Sequence, residues 1–158
     1  MKTEIEQILD WFKAAMPNPT DENLCVQIGV LYEEIGEMAT SLDDTTTYIE
    51  CRCASRIYKS FGGENDKSGI ELWCPNHTLS DSGKEDLLDA LCDQIVAAIG
   101  IGYMAGFDMA GALQEVIRSN ASKFENGKPL FDGNGKIRKG KDYTPPDLAR
   151  FINKKGEE

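Results

Sequence analysis

Two pairs of carboxylates stand beside apolar helical patterns in this 158-residue chain. Glu34 and Glu37 occur in the run LYEEIGEM, and Asp89 and Asp93 occur in the run LLDALCDQIV. Residues three or four positions apart lie on the same side of an α-helix, so each pair presents two acid groups together. Hard carboxylate oxygens prefer magnesium, manganese or calcium to zinc. The spacing therefore predicts that these acids hold divalent cations.

The apolar residues of the first run indicate the helix that positions its acids. They recur at alternating steps of four and three, which predicts one buried stripe: Leu24, Ile28, Leu31, Ile35, Met38 and Leu42. Glu34 and Glu37 lie at the border of this stripe, about 100° round the helix from it. The neighbouring Glu33 is predicted to point away.

The second run repeats the arrangement. Its predicted buried stripe consists of Leu88, Leu91, Ile95, Ala98 and Gly102. Asp89 lies just past the edge of that stripe, Asp93 follows one turn later, and Asp86 lies close to the same line as a reserve candidate. If the two helices pack stripe against stripe, four carboxylates meet along one edge of the interface, where repulsion and desolvation either raise their pKa values or require a counter-ion.

Composition limits the classes of partner. The net charge of -10 argues against a surface for nucleic acid or anionic membranes, since both need a basic face. The N-terminus lacks the pattern of a secretory signal, and the apolar stretch 95–106 is too short to span a bilayer. Five cysteines form an odd count, which is typical of reduced thiols. We therefore expect a soluble, cytoplasmic protein of one domain.

Helical periodicity predicts an all-α fold of four to five helices, with a short C-terminal hairpin and an extended tail. Thr20 or Asp21 should cap the helix that carries Glu34 and Glu37, and Asp108 should cap the last helix. The predicted helices span 4–15, the segment after residue 20, 45–60, 84–105 and 109–124, with a variable insertion at about 43–83 and a tail at about 126–158. In the tail, the run FDGNGKI is typical of a tight hairpin.

These runs, together with EVIRSNASKFENGKPLFDGNGKIRKGKDYTPPDL, resemble the all-α nucleoside triphosphate pyrophosphohydrolases. The resemblance is to the MazG-like and phosphoribosyl-ATP-pyrophosphohydrolase-like branch, including its phage-type members, and covers roughly residues 21–148. It implies a helical bundle assembled as a homodimer or homotetramer. It also implies magnesium, with manganese as a substitute, and conversion of a (deoxy)nucleoside triphosphate to the monophosphate and pyrophosphate. A phage-encoded member would act in the host cytoplasm.

The resemblance also assigns residues. Glu34 and Glu37 match the family's ExxE helix, and Asp93 matches the aspartate of its ExxD helix, whose first position is Ala90 in this chain. Asp89 is the nearest acid and an i to i+4 partner of Asp93, so it is the first candidate for the missing ligand, with Asp86 as the reserve. The implied catalytic residues are Glu34, Glu37 and Asp93, the metal ligands are these three with Asp89, and the substrate-binding residues are Asn120, Lys123, Lys141 and Tyr143.

Two other interpretations remain open. Cys51, Cys53, Cys74 and His77 are four potential zinc ligands, which would make the chain a zinc-stabilised interaction module. A helix through Cys51 and Cys53 would argue against it, because residues two apart point about 200° away from each other. The second alternative is a helical oligomer of the same fold that lost its activity through the change at Ala90.

Overall fold

A computed structural model describes residues 2–60, 80–133 and 135–152 of the chain. These residues form five α-helices: α1 (Glu4–Ala15), α2 (Asp21–Ser41), α3 (Thr45–Lys59), α4 (Asp81–Met104) and α5 (Met109–Ala121). A 3-10 helix follows at Ala149–Phe151. The described residues form isolated β-bridges but no strand. The predicted all-α class is confirmed.

Side-chain caps decide where the helices begin. Thr3 and Thr20 each form a capping box, so α1 and α2 start where the sequence predicts. The α4 helix starts three residues earlier than predicted, because the Ser80 hydroxyl accepts a hydrogen bond from the Gly83 N–H at 3.1 Å. The α5 helix ends at Ala121, three residues before its predicted end, and the segment 45–60 is helical as predicted.

The described chain divides into two compact units. One, the α2 unit, contains α2, α3 and the segment 131–138. The other, the α4 unit, contains α1, α4, α5 and the C-terminal segment from residue 139. Glu34 and Glu37 thus belong to the first unit, and Asp89 and Asp93 to the second.

In the α2 unit, helices α2 and α3 approach closely along a line of small residues. A β-carbon on Gly29 would lie 2.8 Å from Lys59 Cγ and 2.9 Å from the Ser55 carbonyl oxygen. A β-carbon on Gly36 would lie 3.3 Å from Cys51 Cβ. The side chains of Cys25, Val26 and Ala39 are buried. Gly29 and Gly36 allow this close approach of α2 to α3.

The predicted stripe on α2 is therefore wrong as a fully buried surface. Leu24, Ile28, Leu31 and Ile35 are half-buried, while Met38 is 45% exposed and Leu42 is 70% exposed. The periodic pattern gives the helix correctly, but it does not say which line of residues gives the closest packing. Glycine carries no apolar signal, and here Gly29 and Gly36 form the tight contact.

The close approach at Gly29 gives a stability test. Gly29→Ala should lower the free energy of unfolding by about 1–3 kcal/mol, because the new methyl group meets a backbone carbonyl that cannot rotate away. Gly100→Ala is the matched control, since a β-carbon at Gly100 meets nothing within 4 Å. The control should gain up to about 1 kcal/mol from helix propensity. Urea denaturation measures both, and a Gly29→Ala protein as stable as wild type would contradict the packing.

In the α4 unit, α1, α4 and the C-terminal 3-10 helix all contact α5. The Trp11 Nε1–H of α1 donates to the Asn120 carbonyl at 3.0 Å, and the Trp11 ring stacks on Phe124 with centroids 5.6 Å apart. The C-terminal end of α4 reaches α5 at Gly102, which is buried against the Met109 side chain. The chain end returns to the same region, where Asp108 N–H donates to the Phe151 carbonyl at 2.9 Å.

The rest of the α4 stripe is not buried, which corrects the prediction. Leu88 is 63% exposed, Leu91 40% and Ile95 53%. By length and composition alone, α4 is also the one helix in the described residues that could cross a membrane, with a mean hydropathy of 1.5 over 18 residues. This apolar window is longer than the stretch 95–106 considered in the sequence. The same composition fits a helix that packs against protein.

Candidate functional site

Each predicted carboxylate pair lies on one helix. Glu34 and Glu37 are exposed on α2, and Asp89 and Asp93 are exposed on α4. Among the described residues, no three or more His, Cys, Asp or Glu side chains come together as a group that could hold a metal ion. Each helix therefore carries two acids that solvent ions can reach. That the four carboxylates form one metal site stays a prediction.

Glu33, the acid predicted to point away from the pair, is half-buried and engaged in ion pairs. Lys59 Nζ lies 2.6 Å from Glu33 Oε2, and Lys136 Nζ contacts the same oxygen. Partial burial acts to raise the pKa of Glu33, but the hydrogen bonds and charges of Lys136 and Lys59 outweigh it and hold the pKa below its usual value. These ion pairs of Glu33 thus connect α2 to α3 and to the segment 131–138.

The predicted hairpin in the segment 131–138 has a single β-bridge. Phe131 and Ile137 make one antiparallel bridge, and the Asp132 N–H donates to the Lys136 carbonyl at 2.9 Å. The Asp132 carboxylate accepts from the Lys136 N–H at 3.0 Å. The turn places the Lys136 ammonium on Glu33, a contact 103 residues apart in sequence that no local pattern could indicate.

A buried carboxylate on α5 holds the C-terminal tail. Glu115 is 7% exposed, and it accepts from Arg118 at 2.8 and 3.0 Å, from Arg150 at 3.2 Å and from the Asp147 N–H at 2.9 Å. The hydrogen bonds from Arg118 and the Asp147 N–H, with the charges of both arginines, lower the pKa of Glu115 to about 2. The spacing of Glu115 and Arg118 fits a helical ion pair, but nothing in the sequence indicates Arg150.

Serine side chains extend this attachment. Ser119 Oγ donates to the Thr144 carbonyl at 2.9 Å, and Ser122 Oγ accepts from the Thr144 N–H at 2.9 Å. Arg118 also donates to the Pro145 carbonyl at 3.0 Å. We call this set the tail clasp: Glu115, Arg118, Ser119, Ser122, Thr144, Pro145, Asp147 and Arg150. It joins the SNxSK run to the DYTPPDL run.

The tail clasp brings the predicted substrate-binding residues to one region, the C-terminal end of α5. Asn120 and Lys123 lie there, with Lys123 Nζ 6.0 Å from the centre of the Trp11 ring. The Gly140 N–H donates to the Lys123 carbonyl at 3.1 Å, and the Lys141 N–H donates to Glu125 at 2.7 Å.

Tyr143 belongs to the same region. Its ring contacts Lys139, a residue that the sequence prediction missed. Lys139 Nζ lies 4.8 Å from the centre of the Tyr143 ring, in a cation–π contact. Lys123, Lys139 and Lys141 thus gather on neighbouring backbone segments of an acidic protein. The lysine-rich run KIRKGK was the available sequence signal for Lys139.

The helix α3 argues against a zinc ion bound by both Cys51 and Cys53. The segment that carries Cys51 and Cys53 is helical, and Cys51 is buried while Cys53 is exposed. The two thiols therefore face different surroundings, as expected for residues two apart in a helix. Cys74 and His77 lie outside the described residues.

An open cleft of about 480 Å³ lies where α5 begins, and none of the predicted site residues lines it. Its walls are formed by Asp108, Gly111, Gln114, Glu115, Arg150 and Phe151. Asp108 caps α5 and Glu115 belongs to the tail clasp, so these two acids already have structural partners.

Comparison of the chain with protein-family models, with curated proteins and with solved structures finds no match.

Proposed function

We propose that this chain is a metal-dependent nucleoside triphosphate pyrophosphohydrolase of the MazG-like all-α type. The reaction converts a (deoxy)nucleoside triphosphate and water to the monophosphate and pyrophosphate. The observation that carries the proposal is the tail clasp, in which Ser119 and Ser122 hold Thr144. It joins the two runs on which the resemblance depends most, and it brings Lys123, Lys139 and Lys141 to one end of α5. An acidic protein that binds a triphosphate needs such a local group of cations.

The acid pairs fit magnesium by donor type and access. Glu34, Glu37, Asp89 and Asp93 offer only carboxylate oxygens, and all four are exposed. Magnesium bound by these side chains would neutralise the triphosphate and stabilise charge on the leaving pyrophosphate. In the proposed site, Glu34, Glu37 and Asp93 serve the reaction, with Asp89 as the added ligand.

The chain's own residues account for the remaining steps. One of the four carboxylates takes a proton from water as the water oxygen attacks the α-phosphorus. The bond between the α-phosphorus and the bridging oxygen breaks, and the electron pair leaves with pyrophosphate. Lys123 and Lys141 neutralise phosphate oxygens, while Asn120 and Tyr143 orient the nucleotide.

A nucleotide panel tests this proposal. The full chain, with magnesium, is incubated with canonical and modified nucleoside triphosphates, and the products are identified. We expect monophosphate and pyrophosphate from at least one nucleotide, and no turnover after a chelator removes the metal. Manganese should restore turnover. Release of diphosphate and orthophosphate would contradict the reaction, and stoichiometric zinc in the purified protein would favour the interaction module.

We further propose that the protein is cytoplasmic, assembles as a homodimer or homotetramer, and hydrolyses nucleotides of the cellular pool. An inactive oligomer of the same fold is the competing proposal, because Ala90 stands where the resemblance expects an acid. Turnover by wild type would exclude it.

A further inference from the structure

Two lysines of the α2 unit share one oxygen of a half-buried carboxylate. Lys59 Nζ lies 2.6 Å from Glu33 Oε2, and Lys136 Nζ contacts the same oxygen. The side chains of Glu33 and Lys59 are only 20% and 14% exposed. Two ammonium groups and one carboxylate leave one positive charge in excess within this group, in a chain whose net charge is -10. A local excess of positive charge attracts an anion.

This group lies beside the acid pair of α2. Glu37 follows Glu33 by four residues, so it lies one turn further along α2 and about 40° round the helix. The β-carbons of two such residues are about 5–6 Å apart. Glu34 lies beyond Glu37, about 60° further round. A phosphate held through magnesium by Glu34 and Glu37 would therefore lie next to the two ammonium groups.

Of the two lysines, Lys136 is the one that can exchange its partner. The stem of Lys59 packs closely on α2, because a β-carbon on Gly29 would lie 2.8 Å from Lys59 Cγ. Lys136 belongs to the segment 131–138, and its side chain is 35% exposed. If Lys136 leaves Glu33, Lys59 still pairs with that carboxylate. The exchange therefore leaves no half-buried charge without a partner, which would be costly.

We infer that Lys136 binds a phosphate oxygen of the triphosphate beside Glu34 and Glu37, and that Glu33 holds the Lys136 ammonium in position before the substrate binds. The inference rests on the proposed function and adds a residue that the resemblance does not assign. Phosphate oxygens accept charge-assisted hydrogen bonds from an ammonium group. A triphosphate carries several negative charges, so it competes well with the single charge of Glu33.

Three variants of this ion pair test the inference: Lys136→Gln, Lys136→Arg and Glu33→Gln. Calorimetric titration of the full chain with tripolyphosphate, in saturating magnesium, measures phosphate binding without any turnover. Lys136→Gln should raise the dissociation constant at least about tenfold, because one charge-assisted hydrogen bond is lost. Lys136→Arg keeps the positive charge and should stay within about threefold of wild type.

Glu33→Gln separates phosphate binding from a structural role. It removes the same ion pair as Lys136→Gln but keeps the Lys136 ammonium, so tripolyphosphate affinity should stay within about threefold of wild type. A purely structural ion pair would make the two variants equal in affinity as well as in stability. Arg138→Gln is the charge control, since Arg138 is exposed in the same segment, and it should also stay within about threefold.

Turnover gives an independent measurement. With a nucleotide that the wild type hydrolyses, Lys136→Gln should raise KM at least about tenfold and leave kcat nearly unchanged, as expected for lost substrate binding. Hydrolysis with an unchanged KM in Lys136→Gln would overturn this inference and leave the proposed function standing. Tripolyphosphate binding that depends on Lys136, in a chain that hydrolyses no nucleotide, would do the reverse.

Other results would also overturn the inference. These are a wild type that does not bind tripolyphosphate, equal loss of affinity in Lys136→Gln and Glu33→Gln, or equal loss in Lys136→Gln and Arg138→Gln.

Discussion

Glu37→Gln should reduce magnesium-dependent pyrophosphate release on the order of a thousandfold while leaving the fold intact. The substitution keeps the size of the side chain but removes the negative charge and one strong oxygen ligand. Glu37 is exposed on α2, and exposed substitutions away from structural contacts rarely affect stability. The loss should therefore appear in the turnover and not in the melting temperature.

Glu22→Gln is the control for this variant. Glu22 is also exposed on α2, but it lies in the first turn, far along the helix from Glu37. It changes the net charge by the same amount and should retain nearly full turnover. If Glu37→Gln retains the wild-type rate, the site is assigned wrongly, although the chain does hydrolyse nucleotides. If wild type hydrolyses none of the nucleotides in the panel, the proposed function itself fails.

Glu115→Gln should release the C-terminal tail and lower the melting temperature at neutral pH. The neutral amide cannot replace a carboxylate that accepts hydrogen bonds from two arginines and a backbone N–H. Arg118 and Arg150 would lose their common partner. Faster amide exchange at Asp147 would report release of the tail, and Asp142→Asn, an exposed charge change in the same tail, should not cause it.

The pH dependence of this effect follows from the lowered pKa of Glu115, about 2 in the folded protein against an ordinary value of 4.5. A carboxylate with a lowered pKa contributes its full stabilisation above the unfolded value and loses it as the pH falls to the folded value. The difference in melting temperature between wild type and Glu115→Gln should therefore be constant above about pH 5. It should shrink steadily between pH 4.5 and 2. A difference that does not change with pH would show that the charge of Glu115 is not what holds the tail.

Local patterns predicted the helices well. The periodic apolar residues and the caps at Thr20 and Asp108 gave the helical class and most boundaries, because caps and helical periodicity act within a few residues. The start of α4 was missed because Ser80 lies in a polar run that resembles a loop. The all-α class was confirmed, whereas the MazG-like type, the metal and the reaction remain proposals.

The sequence by itself determined which acids share a helix face, since that depends only on spacing along one helix. Tertiary structure alone decided which residues pack and which pair. The glycines of α2, not its leucine and isoleucine stripe, form the closest contact with α3, because the distance between two helices depends on the smallest side chains between them. The Glu33–Lys136 and Glu115–Arg150 ion pairs join residues distant in sequence, so no local pattern encodes them. The exposure of the apolar stripe on α4 could not be predicted either, because the same pattern occurs in a helix that its own fold buries and in one that it leaves exposed.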